Sequence, residues 1–149
     1  DSNLGKRLGE AIAADAVSAA AFHIQTVAKQ LVNRGRSERK NGRWVSGSTA
    51  PDPPFNFRGR LQQSIQVDRR QVKGPKPLAR VGPDGKVVPY AARLEFGFRG
   101  TDKKGRTINQ PARPYMRRAL NEGAKKAKEA AMNAAKNTMR KFAQGGGRP

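Results

Sequence analysis

Proline or glycine interrupts residues 34–114 so often that only short elements fit there, and the long elements are forced to the two ends of the chain. Residues 4–33 read as one helix, with Ser2 or Asn3 able to cap it and Gly35 able to end it. Ala13, Ala16, Val17, Ala20, Ile24, Val27 and Leu31 fall on one stripe at the helical period. Leu4, Leu8, Ile12 and Phe22 fall on a different face. Two apolar faces call either for a second packing partner, such as a neighbouring subunit, or for burial of both within one domain.

A second helix is expected from Tyr115 to Ala143, with Pro114 in its first turn. Met116, Leu120, Ala124, Ala127, Ala131, Ala134, Thr138 and Phe142 make a narrow stripe of mostly small residues. The other side carries Arg118, Glu122, Lys125, Lys126, Glu129, Lys136 and Arg140, spaced for ion pairs four residues apart, as on a solvated face. Residues 144–149 read as a frayed tail.

Between the helices, residues 34–56 read as a long flexible loop. It carries the basic run Arg34, Arg36, Arg39, Lys40 and Arg43, with Trp44 at its middle and Phe55 near its end. Trp44 can anchor the loop on a partner, pack on its own domain, or stack on a base. Residues 60–65 suggest a short helical turn. Residues 66–72, 78–81 and 86–88 suggest three strands of an antiparallel meander. Residues 90–96 suggest a short helix that Gly97 ends in a left-handed conformation. A loop or hairpin follows at 98–110, with Lys103, Lys104 and Arg106 at its tip. The expectation is one α+β domain over 1–149: long N- and C-terminal helices packed on a small antiparallel β-sheet, with long basic loops.

The net charge of +20 in 149 residues, only 36% of them hydrophobic, points to a polyanion or to acidic protein surfaces as partners. No cysteine is present to frame a disulfide or a thiolate zinc site. No apolar run is expected to span a membrane, and the N-terminal segment, carrying Glu10 and Asp15, reads as an amphipathic helix rather than a signal peptide. His23 is the single histidine and borders an apolar stripe, so it reads as a packed residue. The carboxylates are scattered, Ser64 lacks a nucleophile frame, and no glycine cluster matches a phosphate-binding loop. The expectation is a protein that is not an enzyme and uses no cofactor or metal.

Three blocks stand in order: Phe55-Asn56-Phe57-Arg58-Gly59-Arg60-Leu61-Gln62-Gln63-Ser64-Ile65, Tyr90-Ala91-Ala92-Arg93-Leu94-Glu95-Phe96-Gly97, and Pro111-Ala112-Arg113-Pro114-Tyr115-Met116-Arg117-Arg118-Ala119-Leu120. In order and spacing they resemble the neck or tail-completion family of tailed bacteriophages. Tyr115 stands where that family usually has Phe, Arg58 stands where Thr is frequent, and the 34–56 loop is long. The resemblance implies a structural virion protein that forms a ring, a hexamer or dodecamer, at the head–tail junction or the top of the tail. It implies contacts with portal, adaptor or head-closure proteins, with a tail terminator or tail tube, and with double-stranded DNA passing without sequence recognition. No membrane role follows from it. The implied location is the virion neck, with host cytoplasm during assembly.

On this reading Gly59, Leu61, Ile65, Tyr90, Leu94, Glu95, Phe96, Gly97, Pro114 and Tyr115 are structural motif positions, their apolar members serving the core or a junction. Arg34, Arg36, Arg39, Lys40, Arg43, Lys103, Lys104 and Arg106 face DNA or a partner, and Trp44 and Phe55 anchor an interface. Both basic loops are expected to order on assembly. The competing reading is a stand-alone basic protein that binds nucleic acid without sequence preference.

Overall fold

A computed structural model describes residues 2–33, 37–46, 50, 52–54 and 59–145; for residues 33, 37–40 and 44–46 it describes the backbone alone. The order of elements is α1 (Ser2–Asn33), β1 (Ser37–Lys40), β2 (Arg43–Ser46), α2 (Arg60–Ser64), β3 (Ile65–Gln71), β4 (Leu78–Pro83), α3 (Ala91–Phe96), β5 (Phe98–Thr101), β6 (Thr107–Gln110) and α4 (Met116–Ala143). The fold is α+β, with long terminal helices and small antiparallel β-structure. The strands form three separate pairs, β1–β2, β3–β4 and β5–β6, rather than one meander.

The third expected strand, at 86–88, is a turn. The Asp84 carbonyl accepts from the amides of Val87 (3.0 Å) and Val88 (2.9 Å), and its carboxylate accepts from the Lys86 amide at 2.9 Å. A side chain that captures local amides removes them from any ladder. Within the segment expected to be a flexible loop, β1 and β2 pair with Ser37 opposite Ser46 and Lys40 opposite Arg43. Asn41 (φ 49°) and Gly42 (φ 75°) make the two-residue turn between them. Positive φ at both central positions is what a tight hairpin needs, and Asn-Gly supplies it at least cost. The second loop expected to be mobile is likewise a hairpin, with Phe98 opposite Gln110 and Thr101 opposite Thr107.

The chain divides into two compact units, each built from separate stretches. One comprises Asp1–Gln25, Val67–Val81 and Gly123–Pro149. Its buried residues are Ser18, Ala21, Ile24, Val72, Gly123 and Ala127. The Thr138 hydroxyl donates to Asp15 at 2.6 Å, joining α4 to α1 inside this unit, and the Arg69 guanidinium lies 5.5 Å from the Phe22 ring centre. Leu4 and Phe22, from the second apolar face of α1, are exposed, while Leu8 and Ile12 are half-buried.

The other unit comprises Thr26–Gln66 and Gly82–Glu122. Its core holds Ala28, Leu31, Val32, Leu61, Ile65, Val88, Ala91, Tyr115 and Ala119. The inward face at the start of α4 therefore runs through Tyr115, Ala119 and Gly123, and Leu120 and Ala124 of the expected stripe are exposed. Burial of the large Tyr115 ring sets the rotation of the helix there. Further along, Ala131, Ala134, Thr138 and Phe142 are half-buried, as the stripe required.

By length and composition Ser2–Val32 is apolar enough to cross a membrane, which corrects the expectation that no such run exists. The cause is alanine content together with Asp15 as the one acidic or basic residue between Glu10 and Lys29. The same helix buries Ile24, Ala28, Leu31 and Val32, so it also serves as a core helix.

Candidate partner and nucleic-acid interface

All three motif blocks give buried residues to the second unit: Leu61 and Ile65, Ala91, and Tyr115. Gly59, at the N-terminus of α2, adopts φ 72° and ψ −8°, a left-handed conformation that suits glycine. Its carbonyl accepts from the Gln63 amide at 2.9 Å. Leu61 (3% exposed) and Ile65 (fully buried) point into the core. Buried Ser64 satisfies its hydroxyl on the Leu61 carbonyl at 2.6 Å, and its own carbonyl accepts from the Asp84 amide at 2.9 Å. Gln62 donates to the Lys29 carbonyl of α1 at 3.4 Å.

The second and third blocks meet through Glu95. One carboxylate oxygen accepts from the amides of Tyr115 (2.8 Å) and Met116 (2.9 Å), and the other from Arg117 (3.0 Å). These are amides that the first turn of a helix leaves without intrahelical partners, at its positive end. Glu95 thus caps α4 from a distance of twenty residues in sequence. Next to it Gly97 has φ 75° and ψ 173°. The positive φ was expected, but the ψ lies outside the left-handed helical region. A Cβ there would stand 2.8 Å from the Gln110 carbonyl oxygen and 2.9 Å from the Ala112 nitrogen. The close approach lets the Arg113 amide donate to the Leu94 carbonyl at 2.7 Å. The Arg113 guanidinium reaches the carbonyls of Asp52 and Pro53, each at 3.2 Å, and burial lowers its pKa. Pro114 and Leu94 are half-buried.

Tyr115 is fully buried, and its hydroxyl has no hydrogen-bond partner among the described residues. Desolvation first, then the Glu95 charge, raises its pKa well above the ordinary tyrosine value. Tyr90 and Phe96 depart from the expected core role: Tyr90 is 44% exposed and Phe96 71% exposed. Phe96 ends α3 next to Gly97, where the chain turns away and leaves the ring uncovered. Val87 and Leu120 are further large apolar side chains left exposed in this unit.

Of the basic candidates, Arg34 and Arg36 lie outside the described residues, as does the proposed anchor Phe55. Arg39 and Lys40 are in β1 and Trp44 is in β2, placed by backbone alone; Arg43 is exposed. Lys103 and Lys104 are exposed at the tip of the β5–β6 hairpin. Arg106 is spoken for by its own turn. Its guanidinium pairs with the Asp102 carboxylate at 2.7 Å, and that carboxylate also accepts from the amides of Lys104 and Arg106, both at 2.9 Å. The Arg106 bonds first, and the Lys104 amide after them, hold the Asp102 carboxyl below its usual value. The basic row of α4 was legible in sequence but read only as a solvated face. Glu95 was singled out without a role, and Arg113 and Asp84 were not singled out; all three act through backbone groups that a residue pattern does not display.

Among the described residues no group of three or more acidic or histidine side chains could hold a metal ion. An open recess is lined by Arg60, Gln63, Ser64, Gln66, Asp84 and Val87. No family model, no curated protein and no solved structure matches the chain.

Proposed function

We propose that this chain is a structural protein of the tailed-bacteriophage neck, a ring subunit that joins head to tail and leaves a channel for DNA, without catalysis or a cofactor of its own. The observation that carries the reading is the Glu95 cap on α4. It gives the second and third motif blocks one shared purpose, fixing where the long helix begins, and a ring closes only when each subunit presents its contacts in a fixed geometry. The exposed Phe96, Tyr90, Val87 and Leu120 supply the apolar contact that an adjoining subunit would cover. The partners are further copies of the chain, the portal, adaptor or head-closure proteins on one side, and the tail terminator or tube on the other. The place of action is the virion neck, after assembly in the host cytoplasm.

Native mass spectrometry and electron microscopy of the full chain, with immunolabelling of particles, test the proposal. A closed ring and label at the neck are expected. A chain that stays monomeric at all concentrations and is absent from particles would overturn it. The exposed Lys103 and Lys104 and the net charge of +20 favour a second reading, a stand-alone nucleic-acid binder without sequence preference. Tight, salt-sensitive DNA binding by that same monomer would support it.

A further inference from the structure

We propose that the outer face of α4 is the surface that meets the phosphate backbone of double-stranded DNA. Lys125, Lys126, Lys128, Lys136, Arg140 and Lys141 are all exposed on this helix. The described ion pairs join Arg70 to Asp68, Arg106 to Asp102 and Arg118 to Glu122, so these six cations carry none of them. At about 100° per residue, Lys125, Lys128, Lys136 and Arg140 lie within one arc of about 120°. Glu129 is the one acidic residue in that stretch. The opposite side, through Ala127, Ala134 and Thr138, is buried or half-buried, so the row faces outward.

The dimensions suit the partner. Residues 125–141 span about 24 Å of helix axis. A duplex carries about one phosphate charge per 1.7 Å, so that length of DNA offers about fourteen anions to six cations. Partial neutralisation of this kind holds a duplex loosely and lets it slide. Lysine, a mobile point charge, predominates over arginine, which suits phosphates rather than base edges. The arc also holds Met132 and Met139, each about half exposed. Its lack of any aromatic residue sets it apart from helices that lie in a lipid interface. The basic hairpins had been the expected DNA contacts. α4 is the better placed element, because it gathers six exposed cations that none of the described ion pairs engages, whereas Arg106 is committed to Asp102.

The inference deepens the neck reading by naming the element that faces DNA, and it rests on DNA being a partner at all. The test is binding of the full chain to a short duplex of arbitrary sequence at several salt concentrations. Lys125→Gln, Lys128→Gln, Lys136→Gln and Arg140→Gln are combined in one variant, and Lys103→Gln with Lys104→Gln in another. If all four α4 cations meet phosphates, the salt slope of the first variant falls by about 3.6. Between about 50 and 200 mM salt the wild type then loses roughly 100-fold more affinity than the variant. A third variant, with the three lysines changed to Arg and Arg140→Lys, keeps the charge and is expected to bind like the wild type; its loss of binding would count against a phosphate contact. Circular dichroism checks that each variant folds; if the fourfold Gln variant does not, Lys125→Gln with Lys128→Gln and Lys136→Gln with Arg140→Gln are measured as separate pairs, each expected to lower the salt slope by about 1.8. Unchanged binding in the α4 variant with loss in the hairpin variant overturns the inference and leaves the neck reading standing. Binding of the wild type to anionic vesicles but not to the duplex also overturns it. Absence from the particle neck, in contrast, overturns the neck reading whatever the DNA result.

Discussion

The Glu95 carboxylate accepts the Tyr115 amide at 2.8 Å, so a residue at the end of one short helix sets where the longest C-terminal element begins. Loss of a helix cap costs about 0.5–2 kcal/mol, and loss of a carboxylate at the positive end of a helix about 0.3–1 kcal/mol. Glu95→Ala is therefore expected to destabilise the chain by about 1–3 kcal/mol, with Glu95→Gln falling between it and wild type. Denaturant unfolding measures this. Equal midpoints for all three proteins would show that the cap does not hold the start of the helix.

Tyr115 separates two contributions at one position. Its ring fills the core, and its hydroxyl is buried without a partner. Leaving such a group unsatisfied costs about 1–3 kcal/mol. Tyr115→Phe is thus expected to raise stability by about 1 kcal/mol, whereas Tyr115→Ala lowers it by about 3–5 kcal/mol. A clear drop in melting temperature for Tyr115→Phe would reveal a partner for the hydroxyl.

Phe96 and Leu61 are expected to part company. Leu61→Ala removes a buried side chain and costs about 2–5 kcal/mol. Phe96→Ser alters a ring that is 71% exposed, so monomer stability changes by no more than about 0.5 kcal/mol. If Phe96 is a subunit contact, the same change abolishes ring formation. Rings that persist in Phe96→Ser would remove it from the interface.

The Asp102 turn gives a pH signature. Its carboxyl pKa is lowered in the fold by hydrogen bonds from Arg106, so its contribution is present above the ordinary carboxylate value of about 3.9. That contribution is lost as pH falls through the lower folded value. Chemical shifts of the Lys104 and Arg106 amides, both bonded to this carboxylate, should move in that acidic range and stay constant from neutral pH down to it. Amide shifts that already move near pH 6 would contradict the assignment.

Helical period alone located α1 and α4 to within a few residues, because a long element repeats its signal many times. Leu61 and Ile65 were legible as core residues, and Gly97 as a position of special backbone. The Asn41-Gly42 hairpin was legible in principle, but the surrounding Gly, Ser and Pro residues suggested an irregular loop. That residues 86–88 turn rather than extend was not legible, since Val87 and Val88 favour a strand until Asp84 takes their amides. The inward face of α4 was misread at its start because a stripe chosen by side-chain size ignores the anchor that sets helix rotation.

The sequence by itself determined the two long terminal helices, the strongly basic character and the order of the three motif blocks. Tertiary structure alone decided that Glu95 caps α4, that Phe96 and Tyr90 remain uncovered, and that Arg106 is paired while Lys125, Lys128, Lys136 and Arg140 enter none of the described ion pairs. The physical reason is the range of the interactions. Periodicity and charge are sums over neighbours along the chain, whereas a cap, an exposed ring and an ion pair depend on which groups the fold brings within a few ångströms.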